Sequence, residues 1–318
     1  MILPYLALAV LAGPLGAPGE LPDELHGLGE LSNETEFVTA LRDFDRLQVD
    51  LMHWDMAMAQ EFVEQGEKDM AEACKAKTTR RLELVDTAYK EAIRRYPNNA
   101  RVRNWYGEFR YDQAGDAAAA VMSWKLATKL DPSLGAPFSN LGIHYCHAGD
   151  HTNCFRLVEQ AVEKEPDNPD FLFNLAQLYF IHVPQVSRAH GWKEERVYNE
   201  AMKFSRRAAE LKPDDYELLQ DYAVNFFAAE RYGITADWDK AAEAWRRARE
   251  KARESDEVFY TWLNEARVWL RKPDPAQAES CLRAALAIYP SDVAQRLLDQ
   301  LTPGGGDNEG ENLGNKGE

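Results

Sequence analysis

The densest group of side chains that could perform chemistry lies between residues 144 and 154, in the sequence HYCHAGDHTNC. Imidazole nitrogen and thiolate sulfur are ligand atoms that zinc and copper ions prefer. The candidate metal ligands are His144, Cys146, His147, His151 and Cys154. Two helices joined near Gly149 would turn these donors in different directions, so the pattern does not favour one closed metal site.

The same segment contains two cysteines that could form a disulfide. Cys146 and Cys154 would lie on facing helices close to their shared turn, and an oxidising compartment would allow them to bond. Two unconnected thiols are the other alternative. A metal- or redox-responsive module is therefore one hypothesis for the function. The other cysteines, Cys74 and Cys281, are expected to be buried, and four cysteines in 318 residues are too few for a disulfide framework.

Motifs of common enzyme classes are absent from the sequence. There is no G-x-x-x-x-G-K-[ST], G-x-S-x-G, H-E-x-x-H or C-x-x-C pattern. The 53 acidic residues outnumber the 37 basic ones, which gives a net charge of −16 and argues against nucleic-acid binding. Beyond the N-terminus, no apolar stretch is long enough to span a bilayer. We predict a non-enzymatic protein with no cofactor, no nucleic-acid partner and no transmembrane span.

The two ends of the chain differ in composition from the rest. The opening MILPYLALAVLAG is continuously apolar and suits a signal peptide cleaved after Ala12 or Ala17, although it contains no Lys or Arg. We expect a signal peptide over residues 1–17, a linker over 18–32 and export to a periplasmic or extracellular space. A cytoplasmic protein with an apolar N-terminus is the alternative. Residues 302–318, rich in Gly, Asn and Glu, are expected to form a disordered tail.

Between these ends, apolar residues recur with helical spacing in units that end at proline. Leu141, Gly142 and Tyr145 share one stripe of a helix, and a second helical stretch follows Gly149 and ends near Pro166. Comparable pairs of stretches recur from about residue 100 to about residue 290. One such hairpin cannot bury its apolar face alone, so successive hairpins must stack.

This pattern resembles the tetratricopeptide repeat, a helical hairpin with the signature W-x2-L-G-x2-Y, then A-x3-F, then P. The residues that carry the resemblance, one unit after another, are Tyr111, Ala120, Trp124 and Pro132; Leu141, Gly142, Tyr145 and Pro166; Leu175, Ala176, Tyr179, Ala208 and Pro213; Tyr222, Ala223, Phe226, Ala241 and Trp245; and Ala266, Trp269, Ala278, Leu282 and Pro290. The resemblance implies an all-α fold, an α-solenoid of tetratricopeptide-like helix hairpins that forms a right-handed superhelix.

The repeats are expected to occupy residues 98–301, after a long N-terminal hairpin at 33–97 that caps the solenoid. Asn33 or Ser32 is expected to cap the first long helix, whose apolar residues, Leu47 and Trp54 among them, recur every three or four positions. Insertions near 180–200 and 227–240 both enlarge the turn inside a hairpin, so they are expected on the same edge of the solenoid. They could determine specificity or be neutral surface extensions.

In proteins with this repeat, the stripe of each first helix that faces away from the packing stripe lines a concave groove for peptides or helices. Transferred by position, the groove here is lined by Trp105, Phe109, Ile143, His147, Phe173, Gln177, Phe180, Ile181, Val224, Phe227, Arg267 and Arg271. This stripe is more apolar than ordinary surface, which indicates a binding surface. Internal burial, by closure of the superhelix or by the helix at 33–65, is the alternative.

We therefore predict an interaction scaffold or adaptor that binds an apolar peptide or helix of a protein partner in this groove. Arg267 and Arg271 are the cations on this face, and both lie in the last unit. An apolar extended segment or an amphipathic helix is thus a better ligand than a C-terminal carboxylate. Self-association through the groove is the structural alternative.

Overall fold

A computed structural model describes residues 25–301 of the chain. Within these residues every regular element is a helix, and none of the helices is both long and apolar enough to cross a membrane. The predicted signal peptide (1–17) and tail (302–318) lie outside the described residues. The described residues divide into two compact units, and the boundary lies between Lys164 and Glu165. The domain boundaries inferred from the sequence stay predictions.

The first unit contains a short helix, one long hairpin and two shorter hairpins. Its helices are α1 (His26–Glu30), α2 (Glu34–Glu64), α3 (Lys68–Arg95), α4 (Ala100–Asp112), α5 (Ala117–Leu130), α6 (Ala136–His147) and α7 (His151–Lys164). The hairpins pair α2 with α3, α4 with α5 and α6 with α7.

The second unit contains three hairpins and a terminal helix. Its helices are α8 (Pro169–Ile181), α9 (Val183–His190), α10 (Glu194–Leu211), α11 (Tyr216–Val224), α12 (Ala228–Arg231), α13 (Trp238–Arg249), α14 (Ser255–Arg271), α15 (Pro275–Leu286) and α16 (Asp292–Asp299). The hairpins pair α8 with α10, α11 with α13 and α14 with α15, and α16 packs on α15. Helix α9 lies within the first insertion. A 3-10 turn at Asn225–Phe227 and α12 begin the second.

Close approach of the two helices in a hairpin explains the small residues of the first helix. A Cβ atom added at Gly142 would lie 2.5 Å from Val158 Cγ2 and 3.1 Å from the carbonyl oxygen of Cys154, both on the facing helix. Gly107 approaches the ring of Trp124 in the same way. These positions therefore exclude any side chain larger than hydrogen unless the helices move apart.

Gly107 also corrects the register of the first repeat. The repeat signature places Tyr111 at the position of Tyr145. Tyr145, however, follows the crossing residue Gly142 by three positions, so its structural counterpart in α4 is Arg110. The Arg110 side chain is buried and donates to Asp86 Oδ1 at 3.0 Å and to Asp116. A buried ion pair thus stands where the repeat signature has an aromatic ring.

The N-terminal hairpin agrees with one expectation and departs from two others. Asn33 caps α2 as predicted, since its side chain accepts from the backbone N–H of Glu36 at 3.1 Å. The buried stripe of α2, however, mixes apolar with polar residues: Phe37, Leu41, Asp45, Gln48, Met52, Asp55 and Ala59. Leu47 and Trp54 lie on another face and are 55% and 57% exposed. From Leu25 onward the predicted linker is replaced by α1, because Leu25 and Leu28 pack into the core around Phe37.

Candidate functional site

The segment with metal-ligand residues forms the end of one hairpin. Cys146 at the end of α6 and Cys154 in α7 are joined by a disulfide, with their Cα atoms 5.0 Å apart. The structure therefore contains the disulfide and not two unconnected thiols. Cys74 and Cys281 are buried free thiols, as expected.

Two histidines of this segment, His144 and His147, contact Tyr111 of α4, whereas His151 packs on Phe155 at 6.0 Å. The Tyr111 hydroxyl lies 3.2 Å from His147 Nδ1, and the rings of Tyr111 and His144 meet edge to face at 5.7 Å. Burial and then the positive charge of His147 lower the pKa of His144. Over residues 25–301, no three His, Cys, Asp or Glu side chains come together to hold a metal ion. The candidate ligands His144, Cys146, His147, His151 and Cys154 therefore do not converge.

In the first unit, the four predicted groove residues differ in exposure. Ile143 is half-buried and His147 is exposed. Phe109 is only 3% exposed, because the one-residue shift of register turns its ring toward Tyr89 of α3, at 5.9 Å. Trp105 is half-buried, and the Arg42 guanidinium of α2 lies 5.0 Å over its ring. Arg42, which lies in the helix at 33–65, thus covers Trp105, whereas Phe109 packs on α3.

A polar cluster lies on the same side of α4 and α6. Glu108 accepts from Arg42 at 3.1 Å, from Asn104 at 2.8 Å and from Asn140 at 3.2 Å. Asn140 also donates to the Asn104 side chain at 3.1 Å. These bonds link α2, α4 and α6 across two hairpin boundaries. We refer to Arg42, Asn104, Glu108 and Asn140 as the first polar cluster.

In the second unit, the predicted residues of α8 have different environments. Phe173 and Gln177 are half-buried, and Ile181 is 62% exposed. Phe180 is only 8% exposed, because its ring meets Tyr198 of α10 at 5.9 Å. Phe180 is therefore a core residue and is not available to a partner.

A second polar cluster centres on Asp221 of α11. Its carboxylate accepts from Ser205 at 3.0 Å, from Asn225 at 3.0 Å and from Gln177, one of the predicted groove residues of α8. Burial raises the pKa of Asp221 to about 6, and the three hydrogen bonds oppose that shift. All of these donors are neutral. We call Gln177, Ser205, Asp221 and Asn225 the second polar cluster.

The remaining predicted groove residues lie on α11, on α14 and in the 3-10 turn. Val224 and Phe227 are half-buried. The Arg271 guanidinium lies 4.8 Å from the centre of the Phe227 ring and donates to both oxygens of Glu230, at 2.6 and 2.9 Å. Arg267 donates to the Asn264 side chain at 3.0 Å.

The polar character of this face was not predicted from the sequence. One position in the sequence could have indicated it. In the first helix of each hairpin, this position lies directly before the apolar residue and the small residue that face the second helix, such as Leu141 and Gly142. It is polar in four successive hairpins, at Asn140, Asn174, Asp221 and Asn264, although in the last of them Glu265 takes the apolar position. Such a repeated polar position inside an apolar stripe predicts hydrogen bonding between neighbouring helices.

The two insertions meet at one pocket in the second unit. Residues 191–193, helix α10 and residues 234–237 line this pocket, together with Tyr222 and Phe226. Its volume is about 890 Å3. That both insertions project from the same edge of the solenoid stays a prediction.

Comparisons with known proteins agree with the repeat architecture. The family model described as Tetratricopeptide repeat matches residues 87–133 and 235–293. Similar solved structures include YrrB, a tetratricopeptide repeat protein with an unusual peptide-binding site, with a TM-score of 0.50 and 17% identity over 66% of this chain and 96% of that one. Another is the C-terminal part of a repeat-containing protein from Cytophaga hutchinsonii, with a TM-score of 0.51 and 15% identity over 81% of this chain and 99% of that one.

One curated relative is similar in sequence. It is the photosystem I assembly protein Ycf3 of Rippkaea orientalis, 28% identical over 113 residues, which is 34% of this chain. The match spans 65% of the length of that relative. This chain is thus a tetratricopeptide-repeat-containing protein, and the all-α solenoid of helix hairpins predicted from the sequence is confirmed.

Proposed function

We propose that this protein is a non-enzymatic scaffold that binds a segment of a protein partner along the first helices of its hairpins. The observation that carries the proposal is the accessible part of α8, where Ile181 is 62% exposed and Phe173 half-buried on one stripe of the helix. Large apolar side chains exposed on a repeat surface favour an interaction site.

The polar clusters refine the ligand. Because Gln177 and Asp221 lie beside the apolar residues of α8, the face suits a segment that combines apolar side chains with free hydrogen-bonding groups. An extended peptide or an amphipathic helix meets this description. The Ycf3 relative, an assembly protein by name, supports a role in which the scaffold holds a partner during the assembly of a larger complex.

Affinity capture of proteins from the native host tests this proposal. The variant Phe173→Asp/Ile181→Asp should lose the captured partners and keep the circular dichroism spectrum of the parent protein. Its matched control is Met122→Asp/Val293→Asp, which places the same charges at exposed apolar positions outside the face. An unchanged set of captured proteins, or equal loss in the control, contradicts the proposal. If the parent protein is a dimer and both the face variant and the control disrupt it equally, the dimer does not form specifically through this face.

A redox-responsive module is a second candidate, favoured by the disulfide between Cys146 and Cys154. Reduction would free the end of the α6–α7 hairpin, beside Tyr111 and His147. Partner binding should then differ between oxidised and reduced protein, and Cys146→Ser/Cys154→Ser should behave like the reduced protein. Equal binding in all three samples would exclude this candidate.

Export to a periplasmic or extracellular space is the localisation we propose. It is supported by the apolar opening of the sequence and by the disulfide, which forms in oxidising compartments. N-terminal sequencing of the protein from its native host tests it. A mature chain that begins near residue 13 or 18 supports export, and an intact Met1 in a cytoplasmic fraction contradicts it.

A further inference from the structure

The pocket between the two insertions lies apart from the first-helix residues of α8 discussed above. It is lined by the segment before α10, by α10 itself, by Tyr222 and Phe226, and by residues 234–237 with Lys240. At about 890 Å3, it is large enough for several amino-acid side chains.

The pocket is positively charged although the protein is strongly acidic. Its lining includes five cations, Lys193, Arg196, Lys203, Arg206 and Lys240, and three carboxylates, Glu195, Glu200 and Asp237. The whole chain carries a net charge of −16. A local excess of positive charge on such a protein attracts an anionic group.

Two of these cations are available to a ligand. Lys203 and Lys240 pair with Glu200 and Asp237, each at 2.8 Å, and Arg206 lies 3.5 Å from Glu210. Over the described part of the chain, by contrast, neither Lys193 nor Arg196 has an ion-pair partner, and both side chains are exposed. The available charge is therefore concentrated at the start of α10.

Aromatic stacking holds Arg196 in place. Its guanidinium lies 4.2 Å over the ring of Trp192, and that ring stacks on His190 at 4.3 Å. A stacked guanidinium keeps its N–H edge for a carboxylate or phosphate, and less side-chain entropy is lost when a ligand binds.

The opposite part of the lining is apolar. Met202 and Tyr222 are half-buried, and Tyr222 meets Phe226 edge to face at 5.2 Å. A small inorganic anion would make no use of this surface. A ligand that carries an apolar side chain next to its negative charge would contact both parts.

We infer that this pocket is a second docking site, which binds a partner segment carrying a carboxylate next to an aromatic or large aliphatic side chain. Arg196 and Lys193 hold the carboxylate, and Met202 and Tyr222, which pack on the buried Phe226, hold the apolar side chain. The inference goes beyond the proposed function, because it concerns different residues and a ligand of different chemistry.

Selection of random dodecapeptides displayed on phage, with the full chain as bait, tests this inference. The selected peptides should be enriched in Asp or Glu beside Phe, Tyr, Trp or Leu. Synthetic copies should bind Lys193→Glu/Arg196→Glu roughly 10- to 100-fold more weakly, and replacing their acidic residues by Lys should restore binding to that variant. The matched control, Arg101→Glu/Lys129→Glu, changes the net charge equally in the other unit and should bind like the parent protein.

Each other outcome overturns the inference. Selected peptides without acidic residues, or equal weakening in the control, exclude recognition by Arg196 and Lys193. Competition by inorganic phosphate at equal concentration would make this a phosphate site. Peptide binding that appears only after residues 302–318 are deleted would make the chain's own acidic tail the occupant.

The variant Phe173→Asp/Ile181→Asp should leave peptide binding unchanged, which separates this site from the proposed scaffold face.

Discussion

The guanidinium of Arg271 lies 4.8 Å from the centre of the Phe227 ring, so two residues predicted to contact a partner contact each other. Arg271 is oriented by its two hydrogen bonds to Glu230. The same guanidinium lies 5.6 Å from the Trp238 ring. Phe227 is therefore covered by a charged group that a partner would have to contact or displace.

A double-mutant cycle should detect this contact. We expect Arg271→Gln and Phe227→Ala to be coupled by about 0.5–1 kcal/mol in the free energy of unfolding, because a cation over an aromatic face is stabilising at a partly exposed site. Urea denaturation of the four proteins measures the coupling. Arg283→Gln is the matched control, since Arg283 pairs with Glu279 on its own helix, and its coupling to Phe227 should be zero within error.

Asp221 should make stability depend on pH. Its folded-state pKa of about 6 lies above the usual value, so the folded protein binds the proton more tightly than the unfolded chain. The contribution of Asp221 to stability is therefore largest below pH 4 and is lost as the pH rises through 6. Relative to the parent protein, Asp221→Asn should gain about 1–3 kcal/mol in the free energy of unfolding between pH 4 and pH 7.

Chemical denaturation of both proteins across this pH range measures that difference. Asp214→Asn is the control, because Asp214 is exposed and pairs with Lys251, which lowers its pKa. The stability of this control relative to the parent should change in the opposite direction or hardly at all. A difference between Asp221→Asn and the parent that does not vary with pH would contradict the burial of an uncompensated carboxylate.

Gly142 should tolerate no side chain. We expect Gly142→Ala to lower the free energy of unfolding by about 1–3 kcal/mol, because the new methyl group would overlap Val158 across the hairpin. Gly27→Ala is the control, since nothing lies within 4 Å of a Cβ added there, and it should be neutral or slightly stabilising. Thermal unfolding distinguishes the two variants. Equal effects would mean that the helices separate easily at this crossing.

The disulfide makes a prediction about thiol reactivity. Native protein should resist alkylation, since Cys74 and Cys281 are buried and burial raises the pKa of Cys281 to about 12. Unfolded, non-reduced protein should take up two alkyl groups, and unfolded, reduced protein four, as counted by mass spectrometry. Loss of the bond should cost about 2–3 kcal/mol, given its short loop. Four reactive thiols without reductant would contradict the pairing.

Local patterns were sufficient to predict the hairpins, because each helix start, break and crossing depends on a few neighbouring residues. Asn33 as a cap and Gly142 as a small crossing residue follow from type and spacing alone. The first repeat was shifted by one position because Arg110 replaces the expected aromatic residue, and a buried arginine has no signature without its partner Asp86.

The accessible surface was harder to predict, because it depends on residues far apart in the chain. Phe180 occupies a groove position of the repeat, yet Tyr198 covers its ring and the Tyr232 hydroxyl donates to its carbonyl oxygen at 3.4 Å. Both tyrosines lie in or next to the insertions, whose packing is not encoded by the repeat pattern. For this reason Phe180→Ala should destabilise the protein by several kcal/mol, about 3–5, and would be a misleading test of binding.

The first and second polar clusters make neighbouring hairpins specific for each other. Glu108 finds its amide donor on α6, and Asp221 finds Gln177 on α8. A chimaera in which hairpins are reordered, or replaced by a consensus copy, would preserve the apolar stripes but leave these carboxylates facing the wrong side chains. Each hairpin is therefore matched to its neighbour by hydrogen bonding. An exchanged hairpin of the same shape would lack the matching donors and acceptors.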